Sequence, residues 1–312
     1  MKRRLLLGLF VLALSCDGAE PTDAGTDAAI ADAARPDANL PDAGPRCEAA
    51  TGLPDPLVCN GHAELCDRAF DGVAYPTTHN AMSSEEDGWI PPNQGFALWR
   101  QLEDGVRGFM LDTYEEDGET LLCHSICPLG SRPLVDALLD LKTFMDCHPA
   151  EVITLILESY VDEATTAAAF EAAGLLPYLD EQPLDAPWPT LRAMIESGRR
   201  LVVFTQSSDV SLPWHHYAYA YGWDNPYSAM TAADFSCARG RGDTSNRVFI
   251  LNHFLTAPVA MRSLAEMVNY DPVLGEHARR CQTETGQLPN FVTVDFYDVG
   301  DLFAVVDGLN GL

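Results

Sequence analysis

GVRGFMLDTY (residues 105–114) and VITLILES (residues 152–159) are the two stretches of sequence that decide the fold. Both are short, mainly apolar runs, and each carries an acidic residue near its end, Asp112 in the first and Glu158 in the second. Runs of this kind are typical of strands that are buried on both faces of a parallel sheet. We therefore expect two central strands whose carboxyl ends carry these acidic side chains.

Other segments repeat this strand character and alternate with segments that have helical spacing. Strands are expected at residues 73–77, 106–112, 152–157, 200–205, 247–251 and 291–296, with a short additional strand at 120–123. Helices are expected over residues 97–103, 134–145, 164–173, 191–195, 261–268 and 302–309. Strands that alternate with helices predict an α/β fold with a parallel sheet. Six or more such units in one domain favour a closed barrel over an open sheet.

Polar side chains follow the carboxyl ends of these strands, which is where α/β barrels carry their chemistry. The residues concerned are His79, Asp112, His124, Glu158 and Asp295. A single histidine or aspartate at a strand end is more often a hydrogen-bonded structural residue. Five such residues at successive strand ends predict a functional site at this rim.

Several motifs resemble one known family. YPTTHNAMS (75–83), GVRGFMLDTY, LLCHS (121–125) and VITLILES are similar to the catalytic X region of phosphatidylinositol-specific phospholipase C. WPTLRAMIESGRRLVVFT (188–205), LNHFLT (251–256) and NFVTVDFYDVGD (290–301) resemble later segments of bacterial and fungal members. The resemblance covers about residues 71–312 and implies a distorted, incomplete TIM-like (β/α) barrel.

The resemblance also implies roles for three residues. His79 matches the general base that takes the proton of the inositol 2-hydroxyl, whose oxygen then attacks phosphorus to give a cyclic phosphate. His124 matches the general acid that protonates the departing diacylglycerol oxygen. Histidine suits both tasks because its ordinary pKa lies near neutrality. Asp295 matches the carboxylate that orients the base, as in other His–Asp pairs. The implied substrate is a phospholipid at a membrane surface.

A metal site is implied by the same resemblance. Calcium-dependent members have Asn after the first histidine, Glu-x-Asp in the second strand and Glu at the end of the third. Here Asn80, Asp112 and Glu158 match, but Met110 stands where the first Glu is expected. We expect a divalent cation, Ca²⁺ with Mg²⁺ as the alternative, completed by water and substrate oxygens.

The amino terminus predicts export. Lys2, Arg3 and Arg4 precede an apolar run over residues 5–14, as in a secretory signal. The run is shorter than the roughly 20 residues of a membrane-spanning helix. ALSC at residues 13–16 resembles a lipobox, so residues 1–16 are expected to be a signal peptide and Cys16 the lipidated residue of a cell-envelope lipoprotein. Plain secretion is the alternative.

Composition predicts the remaining organisation. Residues 17–46 are rich in Ala, Asp and Pro and lack aromatic side chains, so they are expected to form a disordered linker. Residues 47–312 suit a single barrel domain, which we expect to be a monomer. The net charge of −27 argues against nucleic acid as a partner, since phosphate binding needs clustered Lys and Arg.

Eight cysteines follow Cys16, and an even number in an exported chain predicts up to four disulfides. Cys123 and Cys127 flank His124. A disulfide involving them would either fix the loop that positions His124 or only close an exposed loop. Zinc binding is the weaker alternative because no CxxC pair occurs.

Two further interpretations concern side chains near the predicted site. Arg107 is as compatible with a structural ion pair as with phosphate contact. The side chains proposed for a head-group pocket are Trp223, Arg239, Arg241, Asn252 and His253.

Two other functions remain open. A glycerophosphodiester phosphodiesterase is also a barrel with histidines and a metal, but its expected HRG-like tripeptide and Glu-x-Asp pair fit His79-Asn80-Ala81 and Met110-x-Asp112 poorly. A non-catalytic surface protein that retains the barrel is the alternative from a different class. The presence of both histidines and Asp295 argues against it.

Overall fold

The computed structural model describes residues 48–256 and 259–312. The predicted signal peptide, Cys16, the predicted linker and Cys47 lie outside the described residues. Within the described part, no helix is long and apolar enough to cross a membrane.

Strands and helices alternate along the described chain. The strands are β1 (Tyr75–Thr78), β2 (Gly108–Glu116), β3 (Glu119–Cys123), β4 (Ser131–Pro133), β5 (Ile153–Ser159), β6 (Leu201–Thr205), β7 (His215–Tyr217), β8 (Gly222–Asp224), β9 (Val248–Asn252) and β10 (Phe291–Val294). The α-helices are α1 (Leu98–Glu103), α2 (Leu134–Cys147), α3 (Glu163–Ala172), α4 (Leu191–Ser197), α5 (Ala218–Tyr221), α6 (Arg262–Val268), α7 (Val273–Thr285) and α8 (Leu302–Asn310). Each predicted strand and helix is present, with ends that differ by a few residues.

Eight strands form a curled parallel sheet in the order β7-β6-β5-β2-β1-β10-β9-β8. The first and last strands of the chain are neighbours, with Tyr75 opposite Phe291 and Thr78 opposite Val294. β3 and β4 extend the carboxyl end of β2 as antiparallel strands. The α/β TIM-like barrel is therefore confirmed.

The barrel is not closed. In the described chain β7 and β8 are the two edge strands, and only the four residues of α5 connect them. Adjacent parallel strands need a crossover of about a dozen residues or more. A connection this short cannot place β7 beside β8, so a seam remains open there, and the closed barrel expected from strand counting alone is wrong in this detail.

Alternation along the strands separates an apolar core from a polar rim. Ile156 and Phe291 belong to an apolar cluster with Tyr75, Phe204 and Ile250, and each of these lies on the inner face of its strand. The intervening residues, such as Leu155 and Leu157, pack on the outer side with residues of α2 and α3. Since side chains alternate faces, the inward positions beyond this apolar layer lie toward the carboxyl ends of the strands. The polar residues found there are His79, Asp112, Glu158, Gln206, Asn252 and Asp295.

Three disulfides join cysteines of the described chain: Cys59–Cys66, Cys123–Cys127 and Cys237–Cys281. Cys147 is also disulfide-bonded. The predicted use of cysteine for disulfides is confirmed. Cys237 and Cys281 lie beside His277 with the spacing of metal ligands, but their sulfurs are joined to each other, so the thiolates that zinc requires are not available.

Candidate active site

The pair of β1 and β10 brings His79 and Asp295 together. Each residue directly follows its strand, and Thr78 is opposite Val294 in the register. The backbone amide of His79 donates to the Val294 carbonyl at 3.0 Å, which continues the ladder by one step. The His79 Nδ1 lies 3.0 Å from Asp295 Oδ1. Because a carboxylate only accepts hydrogen bonds, Nδ1 carries the proton and Nε2 is left with its lone pair.

The His79 ring is held on its face as well as at its edge. It stacks on Phe254 with ring centroids 3.8 Å apart and an interplanar angle of 6°. The His79 side chain is 21% exposed, whereas the Asp295 side chain is 7% exposed. The ring is therefore accessible from the cavity while its carboxylate partner is covered.

His124 reaches the same region from β3. The chain makes a left-handed turn at Ser125, whose φ is 68°, and the Cys123–Cys127 disulfide closes the loop around His124. The Asn80 amide nitrogen lies 3.3 Å from His124 Nε2. Burial lowers the pKa of His124, and the nearby His79 lowers it further. These effects favour the neutral form of His124, whose Nε2 can accept the Asn80 hydrogen bond.

Two carboxylates face each other on β2 and β5. Asp112 and Glu158 are Cα partners in the register, and both line the cavity. Burial, followed by the charge of Glu158, raises the pKa of Asp112 to about 7. The Tyr160 hydroxyl donates to a Glu158 oxygen. The site therefore holds two neighbouring carboxyl groups, and the ionised form of one disfavours that of the other.

These polar residues surround a cavity of about 120 Å³ at the carboxyl ends of the strands. Four of the six predicted site residues, His79, Asn80, Asp112 and Glu158, line it. His124 contacts its wall through Asn80, and Asp295 bonds His79 without lining the cavity. Sequence reasoning missed four lining residues: Ile156, Gln206, Tyr227 and Phe254. Gln206 directly follows β6, so the strand-end rule would have found it.

The head-group candidates divide into two groups. Arg241 and Asn252 line the cavity. Trp223 is fully buried and stacks on Phe249 with centroids 3.9 Å apart. The other three candidates, Trp223, Arg239 and His253, do not line the cavity. His253 is buried and bonds His277 and the Val268 carbonyl, and Arg239 is exposed with its guanidinium on the Gly242 carbonyl.

Arg241 is the cationic group of the cavity among the residues described to line it. Its Nε donates to Asp224 Oδ2 at 2.9 Å and its Nη1 donates to Gln206 Oε1 at 2.8 Å. The guanidinium lies over the rings of Tyr219 and Tyr227, at 4.8 and 4.6 Å from their centroids. Its charge is therefore already balanced by buried Asp224.

Arg107 lies at the other end of β2 and has a structural role. Its Nε donates to Glu151 at 2.7 Å, and its Nη1 donates to the carbonyls of Leu102 and Val106. Of the two interpretations from the sequence, the ion pair is the one that the structure supports.

The donor set fits a divalent cation. The Asn80 side-chain nitrogen bonds His124. The oxygen of the same amide is the atom that can serve as a metal ligand. With Asp112 and Glu158 this makes three oxygen donors beside a cavity, the type of ligand that Ca²⁺ and Mg²⁺ bind. Burial and the charge of Glu158 raise the pKa of Asp112, so a cation bound beside the two carboxylates would favour their ionised forms.

Comparison with known proteins agrees with this architecture. The family model for the PI-PLC X domain matches residues 65–310. A PI-PLC X domain-containing protein of Arabidopsis thaliana is 27% identical over 294 residues, which cover 84% of this chain and 68% of the plant protein. An uncharacterized secreted protein of the fungus Arthroderma benhamiae is 27% identical over 286 residues, which cover 81% of this chain and 64% of the fungal protein.

Among solved structures, a mutant of the phosphatidylinositol-specific phospholipase C from Staphylococcus aureus matches 74% of this chain and 87% of its own, with a TM-score of 0.49 and 17% identity. The family model covers most of the described chain, including β1, β2, β3 and β5 with the residues that follow them. The chain therefore belongs to the PI-PLC X family.

Proposed function

We propose that this protein is a phosphodiesterase that cleaves phosphatidylinositol-type lipids by attack of the inositol 2-hydroxyl on phosphorus. The products are an inositol cyclic phosphate and diacylglycerol. One observation carries the proposal: a histidine oriented by a buried carboxylate and a second histidine on a different strand meet at one acidic cavity. In-line displacement at phosphorus needs one proton acceptor and one proton donor on opposite sides of the reacting atom.

His79 is the base in this proposal. Its Nδ1–H is engaged by Asp295, so Nε2 is the atom that takes the proton from the attacking hydroxyl. Asp295 stabilises the imidazolium that forms and keeps the ring in this tautomer. The stacked Phe254 limits rotation of the ring.

His124 is the acid. It gives its proton to the oxygen of the departing diacylglycerol, so the proton taken at His79 is balanced by one released at His124. Burial lowers the pKa of His124 in the free protein. An anionic phosphodiester bound beside the ring favours the protonated form, so binding of substrate itself prepares the acid.

A divalent cation would be held by Asn80, Asp112 and Glu158. Bound there, it would lower the pKa of the attacking hydroxyl and neutralise charge at phosphorus. Ca²⁺ is the preferred ion and Mg²⁺ the alternative. Met110 supplies a thioether where a carboxylate would add a hard ligand, which weakens the site for either ion.

An unphosphorylated head group fits the charges of the cavity. Recognition of added ring phosphates needs unpaired Lys or Arg. Of the described residues that line the cavity, Arg241 is the cation, and Asp224 already balances it. Hydroxyl groups can instead bond Gln206, Asn252 and the outer edge of Arg241.

Export is consistent with the disulfides of the described chain because disulfides persist in oxidising compartments. The fungal relative is described as secreted. We propose that the protein acts outside the cytoplasm, anchored through Cys16 or freely secreted, on phospholipid at a membrane surface.

The test is phosphorus NMR of the products formed from phosphatidylinositol, with Ca²⁺ and with chelator. We expect a five-membered cyclic phosphate signal that requires the cation and disappears in H79A. Glycerol phosphate as the product would instead identify a glycerophosphodiester phosphodiesterase. Absence of cleavage by the wild-type protein would support the non-catalytic surface protein.

A further inference from the structure

The segment that follows β1 leaves the sheet and then brings Asn93 back into contact with Asp295. The backbone amide of Asn93 donates to the Ser83 carbonyl at 2.8 Å, and its carbonyl accepts from the Phe296 amide at 2.8 Å. Asn93 is 2% exposed. Because both its backbone amide and its backbone carbonyl are hydrogen-bonded, the Asn93 backbone is held in place next to the end of β10.

The Asn93 side chain is aimed at the carboxylate that bonds the base. Its Nδ2 donates to Asp295 Oδ1 at 2.9 Å, the same oxygen that accepts from His79 Nδ1 at 3.0 Å. Within the described chain, these two side chains are the donors to the Asp295 carboxylate. A single oxygen therefore receives both hydrogen bonds, and their directions determine how the carboxylate is rotated.

The other end of the Asn93 amide shows what holds it in this orientation. Its Oδ1 is buried and has no hydrogen-bond partner among the described residues. Flipping the amide would place Oδ1 rather than Nδ2 at 2.9 Å from the carboxylate oxygen. Two oxygen acceptors at that distance repel each other, so the amide keeps its orientation although an unpaired buried acceptor is costly.

A neighbouring asparagine makes a different kind of contact with the same segment. Asn269 donates to the backbone carbonyls of Asp295 at 2.7 Å and Phe296 at 3.3 Å. These bonds hold the chain but leave the carboxylate free to rotate about its side-chain bonds. Asn269 is also buried. Asn269 therefore holds the backbone at Asp295, whereas Asn93 holds the Asp295 carboxylate.

We propose that Asn93 is a positioning residue: by fixing the rotation of Asp295, it holds His79 in the Nδ1–H tautomer with Nε2 free toward the cavity. The effect of Asn93 on catalysis rests on the proposed function, whereas its effect on the His79 tautomer does not. Without the Asn93 donor, the carboxylate can turn Oδ1 away from the ring, and the neutral imidazole then populates the tautomer with the proton on Nε2. That tautomer has no lone pair to accept the proton of a hydroxyl.

The test compares N93L with N269L in the full-length protein. Leucine has nearly the same shape as asparagine, so N93L removes the donor without opening a cavity. It removes the unpaired buried acceptor together with one of the two donors to the Asp295 carboxylate, so the two effects oppose each other and we expect only a small change in thermal stability. Nitrogen NMR of ¹⁵N-histidine-labelled protein reports the tautomer of His79, because a protonated and an unprotonated ring nitrogen differ widely in chemical shift.

In N93L we expect a mixture of His79 tautomers and, on phosphatidylinositol, a fall in kcat of about 10-fold or more with KM unchanged. In N269L we expect lower thermal stability and the wild-type tautomer. An unchanged tautomer in N93L, or the same mixture in N269L, would overturn the proposal. The NMR readout needs no turnover, so a protein without phospholipase activity would refute the proposed function and still test the role of Asn93.

Discussion

Asp112 is 7% exposed and lies beside Glu158 near the end of the parallel pairing of β2 with β5. Burial and the charge of Glu158 raise its pKa to about 7, whereas an unfolded chain ionises an aspartate near 3.8. Between these two values the folded protein holds a proton that the unfolded chain has lost. The metal-free fold is therefore destabilised as pH rises from about 4 to about 7, by at most on the order of 4 kcal/mol.

From this we predict that D112N stabilises the metal-free protein at pH 8 and has little effect at pH 4. Calorimetry in chelator at both pH values measures the difference in Tm. A bound cation removes the same repulsion, so Ca²⁺ should raise the Tm of the wild-type protein at pH 8 and leave D112N unchanged.

Asp180 offers a matched control for this prediction. Burial raises its pKa to about 6, but it does not line the cavity. D180N should gain stability at high pH in the same way and keep the response to Ca²⁺. A loss of Tm in D112N at pH 8 in chelator would contradict the assignment of strain to the acidic pair.

The loop between β3 and β4 is the element that carries the acid. Its Cys123–Cys127 disulfide spans four residues of sequence separation, and His124 lies inside this loop. A loop this short restricts the unfolded chain only modestly, by about 2 kcal/mol. Its larger effect should be to limit the positions that the His124 ring can take.

We predict that the double variant C123S/C127S loses about 10-fold or more in kcat, because His124 is no longer held against Asn80. Its Tm should fall by only a few degrees. The measurement is steady-state turnover of phosphatidylinositol together with thermal unfolding.

The matched control is C59S/C66S. That disulfide has a sequence separation of seven and belongs to the apolar cluster inside the barrel rather than to the cavity. A similar loss of stability with retained kcat is expected. Equal losses of kcat in both variants would show that the Cys123–Cys127 disulfide acts only through general stability.

At the scale of the whole molecule, exposed apolar side chains gather at the end of the barrel that holds the cavity. Ile90, Ile126 and Leu129 belong to one patch, since the Ile90 amide bonds the Leu129 carbonyl and the Leu129 amide bonds the Ile126 carbonyl. Loops that follow other strands add further exposed apolar residues, namely Tyr160, Tyr227, Met230, Val259 and Met261. The net charge of −27 argues against long-range attraction to anionic lipid, so contact with a membrane would depend on these apolar side chains.

We predict that I90S/I126S binds phosphatidylcholine vesicles about 10-fold or more weakly than the wild-type protein, because two exposed apolar side chains no longer leave water. Vesicle sedimentation at low and high salt measures this, and the wild-type binding should not weaken as salt is raised. Turnover of a soluble short-chain substrate should be unaffected.

L176S/L184S supplies the control. Both leucines are exposed and precede β6, at the opposite end of the barrel. Vesicle binding should persist in this variant. Equal weakening in both variants would contradict a membrane-facing role for the patch at the cavity end.

The elements that could be predicted from the sequence are those marked by a local pattern of residues. Strands such as β5 and β9 were predictable because buried strands are marked by continuous apolar runs. β7 and β8 were missed because three-residue strands in HHY and GWD give no such run. Helix α7 was missed as well, since its charged residues obscure its apolar face.

The sequence by itself located the candidate residues of the site. The placement of the histidines and acidic residues at one rim follows from residue type, strand alternation and the rule that parallel strands end at one rim, whereas the pairing of Asp295 with His79 was implied by the resemblance to the family. The prediction of disulfides likewise followed from an even number of cysteines.

What only the tertiary structure decided is how these groups act on one another. Neighbouring strands β1 and β10 are more than 200 residues apart in sequence, and their register alone sets the His79–Asp295 contact. Asn93, the balanced charge of Arg241 and the raised pKa of Asp112 depend on the same long-range packing. Local sequence pattern determines which face a side chain takes, but hydrogen bonds, burial and charge coupling depend on distances between segments, and only the folded chain defines those distances.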